Sequence, residues 1–350
     1  MKTSSWLQGA SLRGAVAALL LTLSTGCLES RAEPLRAAEA ALPPASAETR
    51  GMVTFFGTCD ASGVVELDER RFLVADDEDN WLRVYDAERG GLPLLEIDPS
   101  AELSLDKASR AESDLEAAAR AGDRAFFLAS HGRTAKGKRD PDRLIFFATT
   151  LPDAQGRLAV VGRPYRSLLA DILEHPKLSG FELTKAAARA PKEPDGLNIE
   201  GLTAAPDGSM LLGFRSPMPG ARALLVRILN PNAVVDGAKA ELGDPLRLDL
   251  GGLGVRALST WRSQFLILAG PSGDGGPFRL FRFDGQSRVE AVPGLSLPDF
   301  GAEALFAPEA RDEVLVLSDD GARAVRGKPC KKSKDKAAKS FRGVWVRVPR

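Results

Sequence analysis

The sequence is short of net charge, cysteine, histidine and long apolar runs, and each shortage removes a class of function. Lysine plus arginine and aspartate plus glutamate number 47 each. A balanced chain projects no global field to gather nucleic acid, so no nucleic-acid partner is expected. The apolar run Ala15-Val16-Ala17-Ala18-Leu19-Leu20-Leu21, continuing to Leu23, falls short of the roughly 20 residues that span a hydrocarbon core. Almost no long amphipathic helix is visible after residue 50. Nor is there a nucleophile elbow, a Walker loop, a dinucleotide fingerprint or zinc-ligand spacing. No reaction can therefore be read from a motif alone.

What is present begins at the N-terminus. Lys2 and Arg13 are the only charges before Glu29. A basic segment followed by a short apolar run reads as an export signal. It ends in Leu23-Ser24-Thr25-Gly26-Cys27, which resembles a bacterial lipoprotein processing site. That pattern places leucine three positions before the cysteine; here Ser24 stands there and Leu23 lies one position further back. Lipidation of Cys27 and secretion without lipid both stand as readings. Residues 28–50, rich in Ala, Glu and Pro, read as a flexible tether. The expected place is the periplasm or cell envelope, with the membrane as a partner through the N-terminal lipid. Loss of residues 1–26 leaves 45 basic against 47 acidic residues. Residues 51–350 are then expected to form a single domain and to act as a monomer.

Three cysteines occur. If Cys27 carries lipid, Cys59 and Cys330 remain, either as a disulfide in an oxidising compartment or as two buried thiols.

Beyond residue 50 the chain repeats. Short apolar runs such as Phe72-Leu73-Val74-Ala75, Phe126-Phe127-Leu128-Ala129, Met210-Leu211-Leu212-Gly213-Phe214, Phe265-Leu266-Ile267-Leu268 and Val314-Leu315-Val316-Leu317 are bounded by turn residues. Each is preceded by a related phrase starting near residues 64, 116, 200, 256 and 303. Most gaps are about 50 residues, one four-stranded propeller blade. The longer gap holds 165–190, read as a small helical insertion. The expected fold is therefore an all-β propeller of five blades, with six as the alternative. Gly343-Val344-Trp345-Val346-Arg347-Val348 would be the third strand of the last blade, and Met52-Val53-Thr54-Phe55-Phe56 its fourth. In an up-down blade the second and fourth strands end on one face. Cys59 and Cys330 both fall there, which favours their pairing.

The same face collects the repeated polar phrases. The starts of the innermost strands supply Glu116, Glu200, Arg256 and Glu303, with Asp114 beside them. The ends of the second strands supply Asp76, Asp77, His131, Arg133, Arg215, Asp274 and Asp319. One polar residue per blade should ring an axial pocket. Such acids repel unless neutralised, either by a hard cation such as calcium or by Arg133, Arg215 and Arg256 as internal ion pairs. His131 reads as a general base or as a loop histidine bonded to backbone. His175 reads as a helix cap. Lys328, Lys331, Lys332, Lys334, Lys336 and Lys339 read as a solvated loop, with an anionic-surface contact as the alternative.

The phrases Val74-Ala75-Asp76-Asp77-Glu78-Asp79-Asn80, Asp195-Gly196-Leu197-Asn198-Ile199-Glu200-Gly201-Leu202, Gly213-Phe214-Arg215-Ser216-Pro217 and Leu248 to Arg256 resemble a bacterial secreted family of unknown function. The Glu-Gly-Leu phrase is more distantly similar to phytase-like and esterase-like propellers, a resemblance that implies axial acids holding calcium. Two functions follow. One is a calcium-assisted hydrolase of phosphoesters or other esters, with Glu116, Glu200 and Glu303 on the metal. His131 would move protons, and Arg133, Arg215 and Arg256 would hold a small anionic ligand. The other is a non-catalytic module for carbohydrate, peptide, a partner protein or another envelope component.

Overall fold

The computed structural model describes residues 48–105, 112–273 and 275–349. The export signal with Cys27, residues 28–47 of the tether, and Asp274 lie outside the described residues. Strand β1 (Glu48–Phe56) comes first, so the last three tether residues are already strand. Blade 1 follows as β2 (Gly63–Glu66), β3 (Arg71–Ala75), β4 (Leu82–Asp86) and β5 (Leu95–Ile97). Blade 2 is β6 (Leu115–Ala121), β7 (Arg124–Ala129), β8 (Phe146–Thr150) and β9 (Val160–Tyr165). Blade 3 is β10 (Asn198–Ala204), β11 (Met210–Ser216), β12 (Ala223–Ile228) and β13 (Leu246–Leu248). Blade 4 is β14 (Gly254–Trp261), β15 (Gln264–Gly270), β16 (Arg279–Phe283) and β17 (Val289–Ala291). Blade 5 starts with β18 (Gly301–Phe306) and β19 (Glu313–Asp319). A small hairpin of β20 (Ala324–Val325) and β21 (Lys328–Pro329) precedes its third strand, β22 (Ser340–Arg347).

The second strands are continuously apolar because both of their faces are covered. Side chains alternate across a strand. Phe126 packs with Leu212 and Phe214 of blade 3, whereas its neighbour Phe127 packs with Leu73 and Val84 of blade 1. Five buried clusters result, one between each pair of adjacent blades. Each fully buried phenylalanine contributes roughly 1.5–3 kcal/mol. Close approach at the axis needs small residues: a Cβ on Gly63 would lie 2.9 Å from the Ala117 backbone of the next blade.

The ring closes as the repeats require. β1 pairs antiparallel with β22, from Glu48 opposite Arg347 to Phe56 opposite Ser340, and is the fourth strand of blade 5. The seam gives β22 a partner on each side, β19 and β1, and leaves β1 as the outer strand of the blade. Phe55 of β1 stacks on Phe341 at 4.9 Å and meets Phe72 and Tyr85 edge-on. Cys59 follows β1 and bonds to Cys330, with the two Cα atoms 5.9 Å apart.

The long gap between blades 2 and 3 holds α1 (Leu168–Glu174), a 3-10 turn over Pro176–Phe181 and α2 (Leu183–Ala186), and no further blade. Leu168, Ile172, Leu178 and Leu183 sink into the cluster between those blades. His175 is the C-cap of α1, donating its backbone N–H to Ile172 O. A third short helix, α3 (Pro231–Val235), lies between β12 and β13. The lysines occupy the connection from β19 to β22, where Lys331 lies 3.4 Å from Glu78 and Lys336 sits over Trp81. No helix among the described residues is long and apolar enough to cross a membrane.

Candidate functional site

The polar ring is built by β-bulges. The register of the innermost strand slips between Leu115 and Ala117, Ile199 and Gly201, Val255 and Ala257, and Ala302 and Ala304. The extra residues are Glu116, Glu200, Arg256 and Glu303. A bulge re-aims the side chain it carries, and here each blade spends its bulge on a charge. Blade 1 has no bulge in β2. The residue before its Gly63 is Ser62, whose N–H donates to Ala75 O at 3.1 Å.

The four charges are brought together. Glu116, Glu200 and Glu303 each offer a carboxylate oxygen within 4.8 Å of the others, all three being buried. Arg256 Nη1 lies 2.8 Å from Glu200 Oε2, and its Nη2 donates to Glu303. The Glu200 contact is an ion pair without hydrogen-bond alignment. Arg215 Nη1 and Asn198 Nδ2 both donate to Glu200 Oε1, at 2.9 and 2.6 Å. Glu116 has no ion pair among the described residues. Burial, then Glu200, Asp114 and Asp77, push its carboxyl well above the ordinary range. Below the ring a void of about 10 Å³, lined by Ser62 and Glu200 among others, has room for one water or one ion.

Around the ring lies a second tier. Asp114 pairs with Arg143 at 2.7 Å. Asp76 accepts from the Thr58 hydroxyl and from Glu78 N–H, with Arg83 at 3.6 Å, yet burial and Asp79 hold its carboxyl up at about 7. Asp77 is half-buried with Oδ1 unpartnered, and burial and Asp76 push it up. Asp319 is exposed and accepts from Gly321 N–H. Asp320, the next residue, is buried and paired with Arg342 at 2.6 Å.

Two expected members lie elsewhere. His131 is buried, its Nδ1 bonded to Ala129 O at 2.7 Å, and burial pushes it down to about 4. It is therefore neutral near pH 7, and no acid of the ring shifts it. Arg133 donates to Ala187 O and Gly137 O, against the helical insertion. Both residues line a cavity of about 340 Å³ beside α1 and α2, apart from the ring residues.

Sequence reasoning passed over Asp60, Ser62, Asn198, Arg83, Arg143 and the Asp320–Arg342 pair. Ser62 and Asn198 stand in the repeated phrases, at the blade starts where the charges were sought. Arg83 is the second residue of β4 and Arg143 lies shortly before β8, at the starts of third strands that share the acidic face. Asp60 follows Cys59, whose place was legible.

Residues 152–296 match a family described as a protein of unknown function (DUF3616). The match takes in the insertion and all of blades 3 and 4, hence Glu200, Arg215 and Arg256, but neither Glu116 nor Glu303. No curated protein matches the sequence. Among solved structures, a Myxococcus xanthus glutaminyl cyclase is similar at TM-score 0.44 and 11% identity, over 86% of this chain and 97% of that one. A Bacillus subtilis arabinanase is similar at 0.40 and 7%, over 86% and 97%. A Phanerochaete chrysosporium exo-β-1,3-galactanase is similar at 0.46 and 7%, over 86% and 64%.

Proposed function

We propose that this propeller is an exported hydrolase of anionic esters, phosphoesters included, assisted by a hard divalent cation such as calcium at the axial ring. The observation that carries the reading is the convergence of Glu116, Glu200 and Glu303 within 4.8 Å, with Glu116 in no ion pair among the described residues. Oxygen-only donors at that spacing suit calcium. When bound, the cation supplies charge stabilisation to oxygens of the ester. Arg215 and Arg256 border the same acids and orient the anionic group. Arg133 and His131 stand apart, so neither holds substrate nor moves a proton in this reading. Export places the site where calcium is available, and a lipid on Cys27 would tether it. Labelling with a radioactive fatty acid, lost in Cys27→Ser, tests the tether.

The central experiment is thermal unfolding with calcium against chelator, alongside turnover of phosphate and carboxylate esters. Calcium is expected to raise the midpoint and to support turnover, and Glu116→Gln to abolish both. A midpoint indifferent to calcium would sink the reading. A second reading, a module that captures carbohydrate, peptide or a protein without chemistry, is favoured by one observation. Arg256 already joins Glu200 and Glu303, so much of the ring is neutral without an ion. Ligand capture without turnover decides for it.

A further inference from the structure

We infer that the cavity between the β7–β8 loop and the helical insertion is a second ligand site, for a small organic anion with an apolar body and a hydroxyl group. It is independent of the cation reading above. Residues from 131–144, 166–173 and 184–188 enclose about 340 Å³, a volume within the ordinary range of small-molecule pockets. The guanidiniums of Arg133, Arg139 and Arg166 line it, and no described aspartate or glutamate does. Arg166 is neutralised by Asp142 at 3.2 Å. Arg133 donates Nε and Nη1 to Ala187 O and Gly137 O, at 2.9 and 3.0 Å, which fix the side chain and leave its charge uncompensated. Arg139 is exposed and joins no ion pair among the described residues. Two uncompensated guanidiniums beside one cavity favour a carboxylate, which a planar fork takes in bidentate fashion.

Charge alone would describe any basic surface. The apolar wall and His131 make this one a pocket. Leu144, Leu169 and Leu173 line the same cavity, so an occupant gains by burying apolar surface there. His131 lines it too and is 1% exposed. A carbonyl oxygen only accepts, so Nδ1 holds the proton in its 2.7 Å bond to Ala129 O. The neutral ring then offers Nε2 as an acceptor, and Nε2 is buried without a hydrogen-bond partner among the described residues. A buried acceptor left unbonded is costly. An ionised carboxylate cannot relieve it, since it has no proton to donate, whereas a hydroxyl can. Guanidiniums, leucines and an open acceptor together select a hydroxy acid with an alkyl or aryl body.

Calorimetric titration of the full chain with 3-hydroxyoctanoate, in chelator so that the axial ring holds no calcium, tests the site. Uptake is expected at about 1 mM or tighter. Octan-1-ol, which lacks the charge, should bind about tenfold more weakly, and octanoate, which lacks the hydroxyl, about threefold more weakly. Arg139→Glu reverses a charge that no described ion pair uses, and should weaken 3-hydroxyoctanoate about tenfold without moving the melting midpoint. His131→Phe should bind 3-hydroxyoctanoate no more tightly than octanoate; if that variant does not fold, the comparison of the two acids in the parent chain takes its place. No uptake, or uptake that Arg139→Glu leaves unchanged, overturns the inference. So does octan-1-ol binding as well as the acids, or octanoate binding as tightly as the hydroxy acid. Uptake that appears only with calcium puts the anion at the axial ring, which overturns the inference and leaves the cation reading standing.

Discussion

Arg256 of blade 4 holds two carboxylates from the blades on either side: Nη1 lies 2.8 Å from Glu200 of blade 3, and Nη2 donates to Glu303 of blade 5. One guanidinium therefore ties three consecutive blades at the axis, from a side chain that is 7% exposed. Burial pushes its pKa below the ordinary arginine value, and Glu200 is the strongest opposing influence. Removing one member of a buried charge network strands the others. Arg256→Met is expected to cost about 3–5 kcal/mol in urea unfolding. Arg256→Lys should recover little, since an ammonium cannot serve two carboxylates as a planar fork does. A midpoint unchanged in Arg256→Met would show that the ring contributes nothing to stability.

The Cys59–Cys330 bond closes a loop of 271 residues in sequence. It lies beside the β1–β22 seam, so it holds together the two ends that close the propeller. The chain-entropy account gives about 5.6 kcal/mol for such a loop, and losses of native disulfides run at roughly 2–5 kcal/mol. Cys59→Ala should lower the unfolding free energy by that amount and make it indifferent to reductant. Mass spectrometry of the native protein should find neither thiol open to alkylation. Equal urea midpoints with and without reductant would contradict the expected contribution.

The seam has an apolar half that can be probed separately. Phe55 is fully buried against Phe341, Phe72 and Tyr85, whose hydroxyl donates to Phe56 O. Phe55→Ala is expected to cost about 3–5 kcal/mol, the range for emptying an aromatic site in a packed core. A loss below about 1 kcal/mol would mean that β1 contributes little to closure.

The blades were legible because each carries its own copy of one physical pattern. A second strand covered on both faces must be apolar throughout, and Phe126-Phe127-Leu128-Ala129 states that as clearly as Val314-Leu315-Val316-Leu317. The closing strand was legible for the same reason, as was the insertion, since Leu168-Leu169-Ala170-Asp171-Ile172 breaks the strand pattern. The ring charges were found by their place in the repeat. Their partners were hidden, because pairing joins residues far apart in the chain. Nothing local joins Arg143 to Asp114 or Arg342 to Asp320. Of the two readings of His131, the bond of its Nδ1 to Ala129 O matches the loop histidine held by backbone; a loop position gives the face but not the direction of the side chain. Ser62 gave no such signal, because blade 1 carries a neutral serine where the other blades carry a charge, and its first strand has no bulge.

The opposite face of the propeller carries a pH-dependent contribution of its own. Glu66, half-buried, lines a cavity of about 810 Å³ with Glu69, Glu309 and Arg120. Burial and then Glu69 push its carboxyl up to about 7, with Glu309 and Asp68 adding to the rise and Arg120 opposing it. Arg120 gives little relief because its guanidinium is bonded to the carbonyls of Glu66, Leu67 and Gly122. The folded value lies above the unfolded one, so the native state holds this proton more tightly. Stability from Glu66 is therefore complete below the unfolded value of 4.5 and is lost as pH rises through about 7. Glu66→Gln keeps the shape without the charge. It should be near neutral at low pH and stabilising at about pH 8, by on the order of 1 kcal/mol once solvent screening at this half-exposed site is allowed for. Urea unfolding of parent and variant near pH 5 and pH 8 measures the difference, and a gain equal at both would show that Glu66 titrates as an ordinary surface carboxylate.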